Sequence, residues 1–130
     1  MEVHHVGYLV TDIDRSLGHF ILLGFDKETN KQYDEYRDIY ILFLVNGAMR
    51  VELVQPASER SEFYGMLKKF KNLPYHICYI TNNMSDSINM FKKEGFALTQ
   101  SPQCATAIDN RKVAFLLNPD IGIIELLENV

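Results

Sequence analysis

The chain has 130 residues, 47% hydrophobic and 23% charged, with thirteen basic residues against seventeen acidic ones and a formal charge of -4. That length suits one domain with a real core and is too short for two independent ones. The basic residues are scattered, and their densest group (Lys68, Lys69, Lys71) falls in an amphipathic stretch, so nothing points to nucleic acid or to anionic membranes.

Val3 to Val10 is β-branched and apolar around its histidines and reads as a strand. Thr11 and Asp12 are N-cap residues, and Ile13, Leu17, Phe20 and Ile21 recur at helical spacing until Gly24. Phe25 to Asp38 is polar and is expected to hold one solvent-facing strand plus a loop. Tyr40 to Val45 and Met49 to Gln55 are strands joined by Asn46-Gly47, a strong hairpin signal. Glu59 to Lys71, with Phe63, Leu67 and Phe70 in helical register, predicts a connecting helix that stops before Pro74. Tyr75 to Thr81 reads as a strand, Asn82 or Asn83 as an N-cap, and Met84 to Glu94 as a helix ended by Gly95. A strand from Phe96, a polar loop through Arg111, and a hairpin of Lys112 to Leu117 with Ile121 to Glu128 complete the chain.

The second half repeats the first. Residues 5–25 (HVGYLVTDIDRSLGHFILLGF) align without a gap to 76–96 (HICYITNNMSDSINMFKKEGF), pairing His5 with His76, Phe20 with Phe91, and Gly24-Phe25 with Gly95-Phe96. The expected fold is α+β. Two βαβββ modules, about 1–57 and 74–130 around a connecting helix at 59–72, form a curved eight-stranded mixed sheet with helices outside, within a single domain. Small-molecule sites favour the cleft that such a sheet leaves.

Cys78, in a strand, and Cys104, in a loop, make neither a disulfide framework nor a CxxC zinc site. The opening MEVHHV lacks a basic segment followed by an apolar one, so no signal peptide is read. The longest apolar run, Ile39 to Val45, is far short of the roughly 20 residues of a membrane helix. A cytoplasmic location is expected.

Four polar residues interrupt the apolar strands: His5, Glu52, His76 and Glu125. Burying a carboxylate is costly unless it is paired or binds a cation. A lone histidine or glutamate in a strand is usually structural, but here each module carries one histidine on its first strand and one glutamate on its last. Two imidazoles and two carboxylates would hold an octahedral divalent ion better than a closed structural zinc. By period two His4 faces away from His5, and His19 reads as a surface residue.

At these residues the sequence resembles the vicinal oxygen chelate superfamily, which includes glyoxalase I, methylmalonyl-CoA epimerase, fosfomycin resistance proteins and extradiol dioxygenases. HHVGYLVTDIDRSL, MRVELVQP, YHICYI and GIIELLEN resemble, in order, four of its strand motifs across the whole chain. The resemblance implies metal ligands at His5, Glu52, His76 and Glu125, with nickel or cobalt favoured and zinc, manganese or iron possible. It is nearest to short bacterial glyoxalase I, a lactoylglutathione lyase of methylglyoxal detoxification. That implies isomerisation of a methylglyoxal–thiol hemithioacetal, the thiol being glutathione, to the lactoyl thioester through an enediolate. Glu125 would be the first choice of proton shuttle, with Glu52 as the other catalytic carboxylate, and a homodimer is implied. Arg37 and Arg111 are the candidates for binding the substrate's carboxylates. Methylmalonyl-CoA epimerase is the alternative, but its second catalytic glutamate would fall on Tyr36, next to Glu35. A third reading, from another functional class, is a metal-free small-ligand binding protein on the same fold.

Overall fold

The computed structural model describes residues 1–130. It contains nine strands, three α-helices and one 3-10 turn. The strands are β1 (Val3–Leu9), β2 (Asp26–Lys27), β3 (Gln32–Asp34), β4 (Ile39–Asn46), β5 (Met49–Pro56), β6 (Leu73–Thr81), β7 (Ala97–Ala105), β8 (Arg111–Asn118) and β9 (Gly122–Glu128). The helices are α1 (Ile13–Leu22), α2 (Glu62–Phe70) and α3 (Met84–Lys93). The chain divides into two compact units, Val6–Pro74 and Tyr75–Val130, and Met1–His5 belongs to the second of them.

In the first unit the strands run in the order β2-β4-β5-β1, with β3 also pairing β4. The β4–β5 hairpin is antiparallel, and β5 runs parallel to β1. Val51 and Leu53 of β5, with Leu42 and Leu44 of β4, pack on Ile13 of α1 and on Val10. Because side chains alternate along a strand, Glu52 lies on the face away from that helix. Phe20 locks the helix down, edge-on to both Tyr8 and Phe25 at ring separations of 5.3 and 5.2 Å.

In the second unit the order is β6-β9-β8-β7, with β6 and β9 parallel and the other pairs antiparallel. Ile124 and Leu126 of β9 and Ala114 and Leu116 of β8 pack on Met84 and Ile88 of α3. Glu125 is thereby turned to the opposite face, as Glu52 is in its own unit.

The repeat carries through to the helix ends. Asp12 and Asn83, at matched positions, are the N-caps of α1 and α3, with φ near -150° in both, and each accepts a hydrogen bond from the main chain three residues on. Gly24 and Gly95 follow the helices with φ of 97° and 90°, which glycine adopts without steric cost. No helix is long and apolar enough to cross a membrane.

The α+β class holds, but the strands number nine rather than eight. The segment expected to give one strand gives two short ones, β2 and β3, both on β4. Glu28 and Thr29 between them send both N–H groups to the Phe43 carbonyl, at 2.9 and 3.3 Å, and the Thr29 hydroxyl accepts from Phe43 N. That pinch takes Phe43 out of the regular pairing on this edge of β4 and separates β2 from β3. In the second unit the strand expected from Phe96 is one bulged strand, β7, and it runs on to Ala105, into the stretch expected to be a polar loop.

Asp38 fastens the loop before β4. It stands at φ 53°, its carbonyl accepts from Ala57 N, and its carboxylate accepts from the hydroxyls of Tyr33, at 2.7 Å, and Ser58. The Ser58 bond first, and the Tyr33 bond next, hold this carboxyl below its ordinary pKa. A depressed folded value means that the clasp stabilises the fold fully above the unfolded carboxylate pKa of about 3.9 and fades as pH falls through the folded one. Asp38→Asn should therefore show a shallower loss of stability on the acid side than the native chain. Urea midpoints measured from neutral pH downward check this, and superimposable acid limbs would refute it.

Candidate metal centre

The second unit brings three of the sequence-selected residues together. His5, on the opening stretch of β1, and His76, on β6, approach Nε2 to Nε2 at 3.1 Å. Glu125 on β9 offers Oε1 to His5 Nε2 at 3.5 Å and Oε2 to His76 Nε2 at 3.7 Å. All three are buried, with exposures of 1%, 3% and 3%. Strand register explains the meeting. Cys78 and Phe115 are Glu125's row neighbours on β6 and β8, and His76 shares the face of Cys78, two residues away. The His76 ring is wedged edge-on between Tyr75, at 4.4 Å, and Phe115, at 5.4 Å, and also meets the His5 ring edge-on at 5.3 Å.

Two imidazoles and a carboxylate in a dry place can be reconciled by a proton on one ring or by a cation among them. The distances favour a cation. A charge-assisted hydrogen bond runs about 2.7–2.9 Å, shorter than either His–Glu separation. Two donors each about 2.1 Å from one ion are about 3.0 Å apart at a right angle and about 3.4 Å apart at the tetrahedral angle. The separations of 3.1, 3.5 and 3.7 Å fall at and just above that range. The donor set, two nitrogens and a carboxylate, suits a borderline divalent transition metal.

Glu52 is 4% exposed on β5 in the other unit, with Gly7 and Phe43 as its row neighbours. Its place mirrors that of Glu125: each lies between two residues that face a helix, on the strand that runs parallel to its unit's first strand.

Both arginines are engaged. Arg37 is buried in the turn after β3, with Nη1 2.9 Å from Asp34 Oδ2 and its backbone N–H donating to Asp34 Oδ1. Arg111 opens β8, four residues before Phe115, hence about 13 Å along the strand from Glu125's row. Its Nε donates to the Glu128 carbonyl at 2.8 Å, and Nη2 is buried without a hydrogen-bond partner.

His4 does not turn away as strand alternation predicts. Its ring swings back so that Nδ1 lies 2.8 Å from Nδ1 of His5, with ring centroids 5.1 Å apart. Cys78, fully buried, completes a trio with the two histidines whose ligand atoms lie within 4.8 Å of one another. The only hint in the sequence was the His-His pair itself.

A family profile, that of the glyoxalase/bleomycin resistance protein/dioxygenase superfamily, matches residues 4–115. The chain belongs to that superfamily. The motif resemblance to vicinal oxygen chelate proteins is thereby confirmed at the level of family and fold. Solved structures agree on the fold. A hypothetical protein from Bacillus halodurans superposes with a TM-score of 0.87 at 23% identity, over 99% of this chain and 94% of that one. A methylmalonyl-CoA epimerase from Mycobacterium tuberculosis gives 0.82 at 21% identity, over 98% and 87%. A Streptomyces coelicolor methylmalonyl-CoA epimerase, in complex with 2-nitronate-propionyl-CoA, gives 0.84 at 20%, over 100% and 95%. No curated protein matches the sequence.

Proposed function

We propose that this superfamily member is a metal-dependent enzyme that moves a proton at a carbon next to a carbonyl, with His5, His76, Glu125 and Glu52 holding one divalent ion. The observation that carries the reading is the buried meeting of His5, His76 and Glu125 at 3.1 to 3.7 Å. Glu52 joins as fourth ligand on the strength of its matched position in the repeat. Nickel or cobalt is the first choice of ion, ahead of zinc, manganese or iron. When bound, the ion would supply a Lewis acid for the negative charge that develops as the proton leaves.

Glu125 is the proposed shuttle base. Its two oxygens face different imidazoles, so one can stay at the ligand cluster while the other takes a proton from one carbon and returns it to the next. Phe115 and Tyr75 around His76 keep water from competing for that proton.

The primary reading of the substrate is a hemithioacetal of methylglyoxal and a thiol such as glutathione, isomerised to the lactoyl thioester as glyoxalase I does. One observation favours it over an epimerase. An epimerase of the expected kind needs a second glutamate ahead of β4, but Tyr36 is 65% exposed there, Glu35 is also exposed, and the buried Asp34 is ion-paired with Arg37. Methylmalonyl-CoA epimerisation is the second reading, favoured by the fold neighbours that carry that name. Arg111, with its buried Nη2, is the better placed candidate for an anionic substrate arm, while Arg37 would have to be shared with Asp34. A homodimer in the cytoplasm is the proposed working form.

The test is direct. Protein loaded with nickel or cobalt is assayed with the methylglyoxal–glutathione adduct and, separately, with methylmalonyl-CoA. Turnover of the first alone supports the primary reading, and turnover of the second alone replaces it by the epimerase. Failure to retain any divalent ion after gel filtration would leave a metal-free binding protein.

A further inference from the structure

We propose that His4 is a positioning residue that selects the tautomer of His5 and so aims the His5 Nε2 lone pair at the ligand cluster; this rests on the metal reading above. A separation of 2.8 Å between two imidazole nitrogens needs a proton between them, because two lone pairs would repel. A neutral imidazole carries one N–H, and that proton decides which nitrogen can coordinate. The two Nδ1 atoms allow two arrangements. With the proton on His5 Nδ1, the bond is donated to His4, and the His5 Nε2 lone pair faces Glu125 Oε1 at 3.5 Å and His76 Nε2 at 3.1 Å, where the ion or, without it, a proton on His76 Nε2 would stand between the two nitrogens. With the proton on His4 Nδ1, His5 must carry its own on Nε2, where it would block a ligand position.

Burial breaks the tie. His5 is 1% exposed, whereas His4 is half-buried at the edge of the unit. His4, the less buried of the two, can therefore carry its proton on Nε2 and leave Nδ1 as the acceptor. An imidazole thus fills the role that a carboxylate or main-chain carbonyl usually plays behind a ligating histidine. The trio of His4, His5 and Cys78 is not a second ion site of the same kind. At 2.8 Å the two Nδ1 atoms are closer than even the about 3.0 Å between two donors at a right angle on one ion.

The test compares the native chain with His4→Phe, which keeps the bulk and removes the acceptor, and His4→Asn, whose Oδ1 replaces Nδ1. Chelator competition gives the dissociation constant for cobalt, and ¹⁵N NMR of the metal-free protein reads the His5 tautomer. We expect His4→Phe to weaken cobalt binding about 10- to 100-fold, the range for second-layer partners, and to lose the Nδ1–H tautomer of His5, with His4→Asn restoring both. Native affinity in His4→Phe, or an Nε2–H tautomer of His5 in the native chain, overturns the proposal. A native chain that binds no cobalt sinks the metal reading instead, and the tautomer measurement still decides the role of His4.

Discussion

Replacing Glu125 by glutamine should leave a folded protein that turns over its substrate about 10² to 10⁴ times more slowly, even with the ion at saturation. The substitution keeps the volume and one carbonyl-type oxygen on the β9 face beside His5 and His76, so the packing against Phe115 and Cys78 survives. What it removes is the carboxylate proposed to accept the proton and give it back. Saturating metal matters, because an amide oxygen is a weaker ligand than a carboxylate, and without that control lost metal would pass for lost chemistry. Rates at several metal concentrations make the separation. Activity within about threefold of native at saturation would assign the base elsewhere, with Glu52, its partner in the repeat, next to be tested.

Removing the His76 ring should abolish retention of the ion. His76 contributes one of the two Nε2 atoms that stand 3.1 Å apart, and it also fixes the geometry of Glu125 from the other side at 3.7 Å. Loss of a ligand should cost more than the roughly 10- to 100-fold typical of an outer partner. It also leaves a buried carboxylate with less compensation, so His76→Ala is expected to be less stable than native in the metal-free state as well. Thermal unfolding with and without added ion reads both effects. At a concentration one hundred times the dissociation constant, a ligand that binds only the folded state adds about 2.7 kcal/mol. The native chain should show such a shift and His76→Ala should not, whereas His19→Ala, on an exposed turn of α1, should behave as native. An ion-induced shift of native size in His76→Ala would refute the ligand assignment.

The features legible in the sequence are those that local geometry dictates. The caps were recognisable to within one residue, Thr11 or Asp12 and Asn82 or Asn83, because a short acceptor side chain before a helical pattern has little else to do, and Asp12 and Asn83 take the role. Val51-Glu52-Leu53 and Ile124-Glu125-Leu126 each set a charge among apolar neighbours, the mark of a carboxylate kept from water, and both glutamates are buried. Asn46-Gly47 named its own hairpin, with Gly47 at φ 58°. Other features were not legible because they depend on partners far along the chain. The Phe43 carbonyl that splits β2 from β3 belongs to another strand, and nothing in the polar run of residues 25 to 38 reports it. Arg37 is a local case: its guanidinium pairs with Asp34 three residues back, a contact that depends on how the turn between them closes and that residue order does not report.

The sequence by itself determined the module order and the set of residues worth watching, since a 21-residue repeat and strand alternation follow from the order of residues alone, while the family entered through the resemblance of four motifs. Tertiary structure decided which of those residues meet. Met1–His5 joins the unit formed by Tyr75–Val130, which sets His5 beside His76, 71 residues away, at 3.1 Å. It also decided that His4 turns back onto His5, against the alternation of its own strand. The physical reason is that backbone geometry fixes only the direction in which a side chain leaves its strand. Where the ring then goes depends on the room and the hydrogen-bond partner supplied by strands that the local sequence does not describe.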